Sequence, residues 1–413
     1  LGLLSRHGYE FTDDEEEAEA VVINTCCFIS DAKEESVNTI LDMAERRKNG
    51  QLQALLVTGC LAQRYSEEMQ VEIPEVDAAL GTTAIDAIAD ALDEVLKGQQ
   101  HNYIEDINKA PQGGRHRVVT TGGYYAYLKI AEGCDNHCAY CVIPRARGPV
   151  RSRSEASILA ELRQLAASGY REVVLSAISL PSYGLDTGTN LVELVEHCAQ
   201  VEGIQRIRLG SLDPDMLTPE FITRLAAVEK LCPQFHLSLQ SGCTATLRRM
   251  RRVYTAEQYA KVVADLRAAY GERPVSFTTD CICGFPGETA ADFEESCAFL
   301  KEIGFLKVHV FPYSRRSGTP AYDFPDQVHE REKQDRSRKM NALAEDIRRD
   351  VLKGYEGMED EVLLETPLSE TLFTGYTRLY VPVVVSAPGH KSGEIVRVRL
   401  GKYDGERVRA ALC

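Results

Sequence analysis

The residues best suited to chemistry in this chain are three cysteines in one short run, Cys134-Asp-Asn-His-Cys138-Ala-Tyr-Cys141. With three and then two residues between them, their thiolates can converge on one metal cluster from a single loop. Three thiols without a fourth leave one metal position open. In an iron–sulfur cluster an open iron means chemistry, because clusters used only for electron transfer normally have every iron held by protein thiolates. The competing assignment, a structural zinc knot, wants four closed ligands. His137 could be that fourth ligand, but its place inside the loop fits poorly beside both neighbours. A second pair, Cys26 and Cys60, follows two short apolar runs, Ala20 to Asn24 and Leu52 to Thr58. A cysteine at a strand end is by default a small buried hydrophobe. Two in equivalent positions, where open α/β sheets hold their ligands, make a binding role equally credible.

The elements that must position these residues form an α/β chain in three blocks. Residues 1–110 alternate strand and helix patterns, with helices expected over Asp31–Arg47, about Ala62–Val71 and Thr83–Leu96. Asp31, with Glu34 three residues on, predicts an N-cap. The block reads as a small α/β domain of parallel type. The glycine-rich, aperiodic stretch from Asn102 to Gly123 predicts a connection, with the linker at 111–124. Over 125–352 six strand candidates alternate with helices: Tyr125–Ala131, Glu172–Ser176, Ile204–Leu209, Phe235–Leu239, Ser276–Cys283 and Lys307–Phe311. Six such units predict a partial (βα)6 barrel, with chemistry at the strand C-terminal ends, and the cysteine loop follows its first strand. Val328–Leu352 predicts a long charged helix trailing the barrel. Residues 353–413 turn to short strands (Glu361–Glu365, Tyr380–Val385, Glu394–Leu400, Val408–Leu412), a small all-β module of a kind that often binds RNA.

Composition narrows the class. A chain of 413 residues, 44% hydrophobic and 26% charged, has ordinary globular proportions, and no apolar run is long enough to span a membrane. Thirteen cysteines without a visible signal peptide predict reduced thiols and metal ligation in the cytoplasm rather than a disulfide framework. The net charge of -15 belongs to residues 1–110, which hold 23 acidic against 8 basic side chains; the remainder holds 39 of each. An acidic protein is not an obvious nucleic-acid binder. Acidity confined to the first block still leaves room for a local basic surface. Arg145, Arg147, Arg151 and Arg153 after the cysteine loop, and Arg248, Arg249, Arg251 and Arg252 after the fourth strand, are candidates for a positive rim as much as for a solvated face.

Gly284-Phe-Pro-Gly-Glu288-Thr289 follows the fifth strand and opens a helix. It is either a tight βα turn or a loop whose glycines let backbone approach an anionic ligand at a helix N-terminus. Cys198, Cys232, Cys243, Cys281, Cys283, Cys297 and Cys413 have no ligand spacing and read as core or incidental thiols.

Leu128 through Cys141-Val-Ile-Pro144 and Arg147-Gly148, with Asn24-Thr-Cys26, Thr58-Gly-Cys60, Gly284 to Thr289, Phe311-Pro-Tyr-Ser314 and Gly318-Thr-Pro320, resembles the radical S-adenosylmethionine methylthiotransferases. The resemblance covers nearly the whole chain. It implies that Cys134, Cys138 and Cys141 hold a [4Fe–4S] cluster whose open iron takes S-adenosyl-L-methionine. Tyr140 would lie against the adenine, and Gly284 and Glu288 would line the cofactor. It implies an auxiliary cluster on Cys26 and Cys60, and a TRAM-type final module that contacts substrate. The implied chemistry starts with an electron from a reducing donor, which cleaves the cofactor to a 5′-deoxyadenosyl radical. Hydrogen leaves an unactivated C–H bond, sulfur is inserted there, and a second S-adenosylmethionine gives the methyl group.

Two departures shape the expectation. The family's first auxiliary-cluster cysteine would fall before Leu1, so either the sequence is incomplete at this end or the second cluster is defective; Cys27, adjacent to Cys26, is a poor substitute. The two ends also resemble different branches. Cys26 to Ser36 and Leu61 to Tyr65 are similar to the RimO branch, which modifies an aspartate of a small-subunit ribosomal protein. Arg206 to Leu212, Cys232 to Gly242 and Arg252 to Thr255 are similar to the MtaB branch, which modifies threonylcarbamoyl-adenosine in tRNA. Because the barrel mouth should select the substrate, tRNA is the expected target. The alternatives are the ribosomal protein, or an RNA- or ribosome-binding protein whose sulfur insertion has decayed.

Overall fold

The computed structural model describes residues 1–111, 117–119 and 122–413. By compactness the chain separates into two units, each discontinuous in sequence. The first gathers Leu1–Val119, Glu132–Arg151 and Ser314–Tyr322; the second gathers Thr120–Ala131, Ser152–Tyr313 and Asp323–Cys413.

The first unit is built on three parallel strands in the order β1 (Ala20–Thr25), β2 (Ala54–Gly59), β3 (Ala78–Leu80). Every residue of the central β2 is buried, which is why Ala-Leu-Leu-Val-Thr-Gly reads as an unbroken apolar run rather than an alternation. Helices α1 (Ser30–Lys48), α2 (Cys60–Glu72) and α3 (Ile88–Leu96) cover it. Register pairs Thr25 with Gly59, so Cys26 and Cys60 leave the sheet from adjacent strand ends. The N-cap expected at Asp31 is not formed. Helix α1 begins one residue earlier with Ile29 at the cap, and the Ser30 hydroxyl is held by Ser314 Oγ at 2.6 Å. Helix α2 starts at Cys60 itself, directly on the strand end. The short β3 lacks β-branched residues and gives no periodicity, so the sequence did not announce it.

In the second unit six parallel strands follow one another: β4 (Tyr125–Lys129), β5 (Glu172–Ser176), β6 (Arg206–Leu209, extended by Ser211–Leu212), β7 (Gln234–Leu237), β8 (Ser276–Cys283) and β9 (Lys307–Pro312). Helices α4 (Glu155–Ala167), α5 (Leu191–Ala199), α6 (Pro219–Ala227), α7 (Ala256–Tyr270) and α8 (Ala290–Ile303) alternate with them. Strands β4 and β9 are not paired with each other, so the expected partial barrel is present and open at one seam. Its main core lies between strands and helices, with Leu128, Val173, Ile207, Phe235, Phe277 and Val308 buried there. Helix α7 starts in a full capping box, Thr255 with Gln258, and α8 in a second, Thr289 with Asp292.

The long helix α9 (Glu330–Gly354) leads to a closed five-stranded barrel: β10 (Glu359–Pro367), β11 (Leu372–Thr377), β12 (Pro382–Ser386), β13 (Ile395–Tyr403) and β14 (Val408–Leu412). Strand β11 escaped sequence reading because Gly375 and two threonines look like a turn. The glycine is needed where the strands cross, since a Cβ there would lie 2.0 Å from Leu363 O. This module is fixed to the N-terminal ends of the half-barrel strands. Arg208, at β6, donates through Nη2 to Thr377 O at 2.6 Å and through Nη1 to Arg378 O at 3.0 Å. Arg206 Nη1 donates to Tyr376 O at 3.2 Å and Ser276 Oγ to Leu379 O at 2.6 Å. The β11–β12 turn thus sits at the N-terminal ends of β6 and β8.

Candidate metal centre

The three-cysteine loop is shaped by its backbone before any metal is considered. Gly133 sits at φ +77°, and a Cβ there would lie 1.8 Å from Pro149 O, so only glycine permits this close return of the chain. Cys134 N donates to Gly148 O at 3.1 Å, and Cys141 N to Cys138 O at 3.1 Å. Two amides point at sulfur: Asn136 N to Cys134 Sγ and Ile143 N to Cys141 Sγ, both at 3.4 Å. Such donors stabilise thiolates and tune a bound cluster. All three cysteines are half-buried. Tyr140 is buried, and its carbonyl accepts from Arg316 Nη1 at 2.7 Å.

The same unit carries the second cysteine set. Arg147 Nε donates to Cys60 Sγ at 3.1 Å, while its Nη1 reaches Glu132 Oε1 at 3.0 Å. Cys26 is half-buried and accepts from Phe28 N at 3.4 Å. Cys27 is buried, donates to Cys60 O at 3.4 Å, and has Arg64 Nη1 3.9 Å from its sulfur. Hydrogen bonding to Cys60, and after that burial, pushes the Cys27 thiol far up. A third segment completes the site: Arg64 Nη2 donates to Ser317 O at 3.2 Å, and Ala321 N to Ala139 O at 2.9 Å. Arg64 and Arg316 were not singled out from sequence; their partners lie too far along the chain for any local pattern to reveal them.

Soft sulfur donors, three on one loop with amides aimed at two of them, suit an iron–sulfur cluster better than a hard cation. The residues present therefore fit the expected group. Gly284 and Glu288, in the second unit, form a closed turn. The carboxylate of Glu288 is buried, accepts Gly284 N at 2.9 Å and pairs with Arg336 Nη1 at 2.6 Å. Burial raises its pKa, against these two hydrogen bonds.

Part of the positive rim considered from sequence is spent on internal partners, while Arg145, Arg248 and Arg251 are exposed. Arg151 is buried and spent on the carbonyls of Lys109, Pro149 and Arg147; Arg153 pairs with Glu161. Arg249 pairs with Asp292, and Arg252 with Asp213 at 2.5 Å. Burial makes internal pairing the cheaper state for these guanidiniums. Of the cysteines without ligand spacing, Cys198, Cys232, Cys243, Cys281 and Cys283 are buried, Cys297 is half-buried and Cys413 is exposed.

Comparison with known proteins bears on this architecture. Residues 128–300 match the model of the radical SAM superfamily, and residues 1–81 that of the uncharacterised family UPF0004. The chain is 40% identical over 385 residues to the ribosomal protein uS12 methylthiotransferase RimO of Lachnoclostridium phytofermentans, covering 92% of this chain and 87% of that one. It is 39% identical over 410 residues to the RimO of Geobacter sulfurreducens, covering 97% and 91%. Among solved structures, the radical S-adenosylmethionine methyltransferase TsrM of Kitasatospora setae superposes with a TM-score of 0.57 at 13% identity, over 74% of this chain and 65% of that one, a likeness of fold alone. Among the described residues no helix is long and apolar enough to cross a membrane.

Proposed function

Since the chain belongs to the radical S-adenosylmethionine methylthiotransferase family, we propose that it methylthiolates an aspartate of ribosomal protein uS12. The observation that carries this reading is the extent of identity to relatives of that name. It runs over 92–97% of the chain, barrel and final module included, at 39–40%. The tRNA target expected from three barrel segments gives way on that ground, because those segments lie inside the matched length. A ribosomal substrate also puts the enzyme in the cytoplasm.

Cys134, Cys138 and Cys141 hold the [4Fe–4S] cluster in this reading, and Cys26 and Cys60 are ligands toward an auxiliary one. The bound cluster and S-adenosylmethionine supply an organic radical able to break an unactivated C–H bond. The chain's own residues do the rest. Gly133 and the Cys134 and Cys141 amide contacts fix the thiols, Arg147 holds the Cys60 sulfur, and the Tyr140 carbonyl is anchored by Arg316. The test is mass spectrometry of uS12 and of tRNA nucleosides from cells with and without the gene. A methylthio mass on uS12 that disappears with the gene is the expected result. Loss of a methylthio nucleoside instead would overturn the ribosomal reading, and loss of neither would overturn both.

A further inference from the structure

The concave face of the half-barrel is not packed as a closed barrel interior would be. Closed (βα)8 barrels fill this space with branched aliphatics. Here Ser211, His236, Thr278, Asp280, Lys307 and His309 face away from the helices on β6–β9, with the apolar pair Ile282 and Phe311 following them at the C-terminal ends of β8 and β9, while the alternate positions, Phe235, Leu237, Phe277, Cys281 and Val308, are buried in the apolar core. Register puts Ser211, His236, Thr278 and Lys307 in one row across the four strands, and Asp280 beside His309 in the next. Four strands thus present a largely polar wall, with His236 and Asp280 partly open to solvent and Lys307 exposed. Nothing in the fold requires this, since an apolar wall would be cheaper to build.

The wall has internal order. His236 Nδ1 lies 3.0 Å from Thr278 Oγ1 and Nε2 lies 3.4 Å from Asp280 Oδ2, so both ring nitrogens are engaged and the imidazole is oriented. The His309 ring stands 6.1 Å from that of His236. Burial, with the nearby charges of Lys307 and His236, lowers the His309 pKa against the pull of Asp280. These residues are not among those that bring three such ligand atoms within 4.8 Å of one another; Cys243, Asp292 and Glu295 do, and there Arg249 occupies Asp292.

We propose that this wall receives the carboxylate of the residue being modified, with Lys307 and His309 donating to it and Asp280 holding His236 in place alongside. The inference rests on the reading of an aspartate substrate and names what recognises it. A carboxylate is the group that profits most from paired charged and neutral donors in a half-dry cleft. It also lies next to the C–H bond to be broken, so fixing it fixes the reacting carbon.

The experiment measures binding of reconstituted enzyme to uS12 and to uS12 with the target aspartate changed to asparagine. Wild type should prefer the aspartate form by tenfold or more. The double variant Lys307→Met/His309→Gln should bind both forms within twofold of each other, with iron content and melting temperature unchanged. A double variant that keeps the tenfold preference, or a wild type that never had one, overturns the proposal. An enzyme that ignores uS12 but prefers threonylcarbamoylated over unmodified tRNA, and loses that preference in the double variant, keeps the carboxylate wall and overturns the ribosomal reading.

Discussion

Removing Arg208 tests whether the final module is a fixed part of the half-barrel. The Arg208 guanidinium is almost wholly buried, as is the carboxylate of Glu172, which it meets at 2.7 Å. It donates to the carbonyls of Thr377 and Arg378 and lies 5.2 Å over the ring of Tyr380. Arg208→Met keeps most of the volume, so the cavity contribution is small. What remains is a buried carboxylate with one partner gone and two carbonyls without donors. One-sided loss of a buried ion pair typically costs about 3–5 kcal/mol, and the carbonyl contribution overlaps with it rather than adding. Glu172 retains Arg206 at 3.5 Å, which argues for the lower end of about 3 kcal/mol.

That free energy should appear locally. Opening of the β11–β12 turn is reported by the amides of Thr377 and Tyr380, which pair with Val381 O and Thr377 O. Their hydrogen exchange should accelerate about 150-fold, at 1.4 kcal/mol per decade, while amides within β13 and β14 stay protected. Glu172→Gln/Arg208→Met should exchange more slowly than Arg208→Met alone, because the abandoned charge is gone. Acceleration of less than about threefold, or strict additivity in the double variant, would refute the idea that this network holds the module.

Burial, and after it the neighbouring Glu172, push Glu365 up to about 7. A carboxyl raised above its unfolded value of about 4.3 binds more protons when folded, so it favours the fold below that range and loses this contribution as pH climbs through about 7. Urea midpoints should therefore fall between pH 5 and pH 8, with a flatter profile in Glu365→Gln. Gly133→Ala forces a side chain into Pro149 O at a positive φ, and iron after reconstitution should drop by about four per chain, measured colorimetrically. Arg147→Met removes the donor to Cys60 Sγ and one partner of Glu132; a charge-assisted bond of about 1.5–3 kcal/mol is lost. Its chemical-denaturation midpoint should fall, and wild-type stability in that variant would contradict the geometry.

The cysteine loop and the six-strand alternation were legible because each rests on local spacing. Thiols at fixed separations, and apolar strands punctuated by amphipathic helices, carry their meaning within a dozen residues. Strand β11 was not legible, since its glycine answers to Leu363 across the module rather than to its neighbours. The arginine runs misled for the same reason. Arg147, Arg151, Arg153, Arg249 and Arg252 look like a solvent-facing rim until their partners, 2 to 87 residues away, are seen. The polar wall was visible in principle: Phe-His-Leu-Ser-Leu and Lys-Val-His-Val-Phe alternate with period two where a closed barrel would not.

The thiol-bearing unit is assembled from segments that sequence reading kept apart, and the energetics of closure explain why this is cheap. Ser30 meets Ser314 across 284 residues, Arg64 meets Ser317 across 253, and Arg316 meets Tyr140 across 176. Closure entropy grows only as the logarithm of length, so a tenfold longer loop costs only about 2 kcal/mol more. The hydrogen bonds of residues 314–322, at roughly 0.5–1.5 kcal/mol each, offset that difference between them. Sequence distance is therefore a weak guide to which residues share a compact unit, and Ser314–Tyr322 belongs with Cys26, Cys60 and the cysteine loop although the half-barrel strands lie between them in the chain.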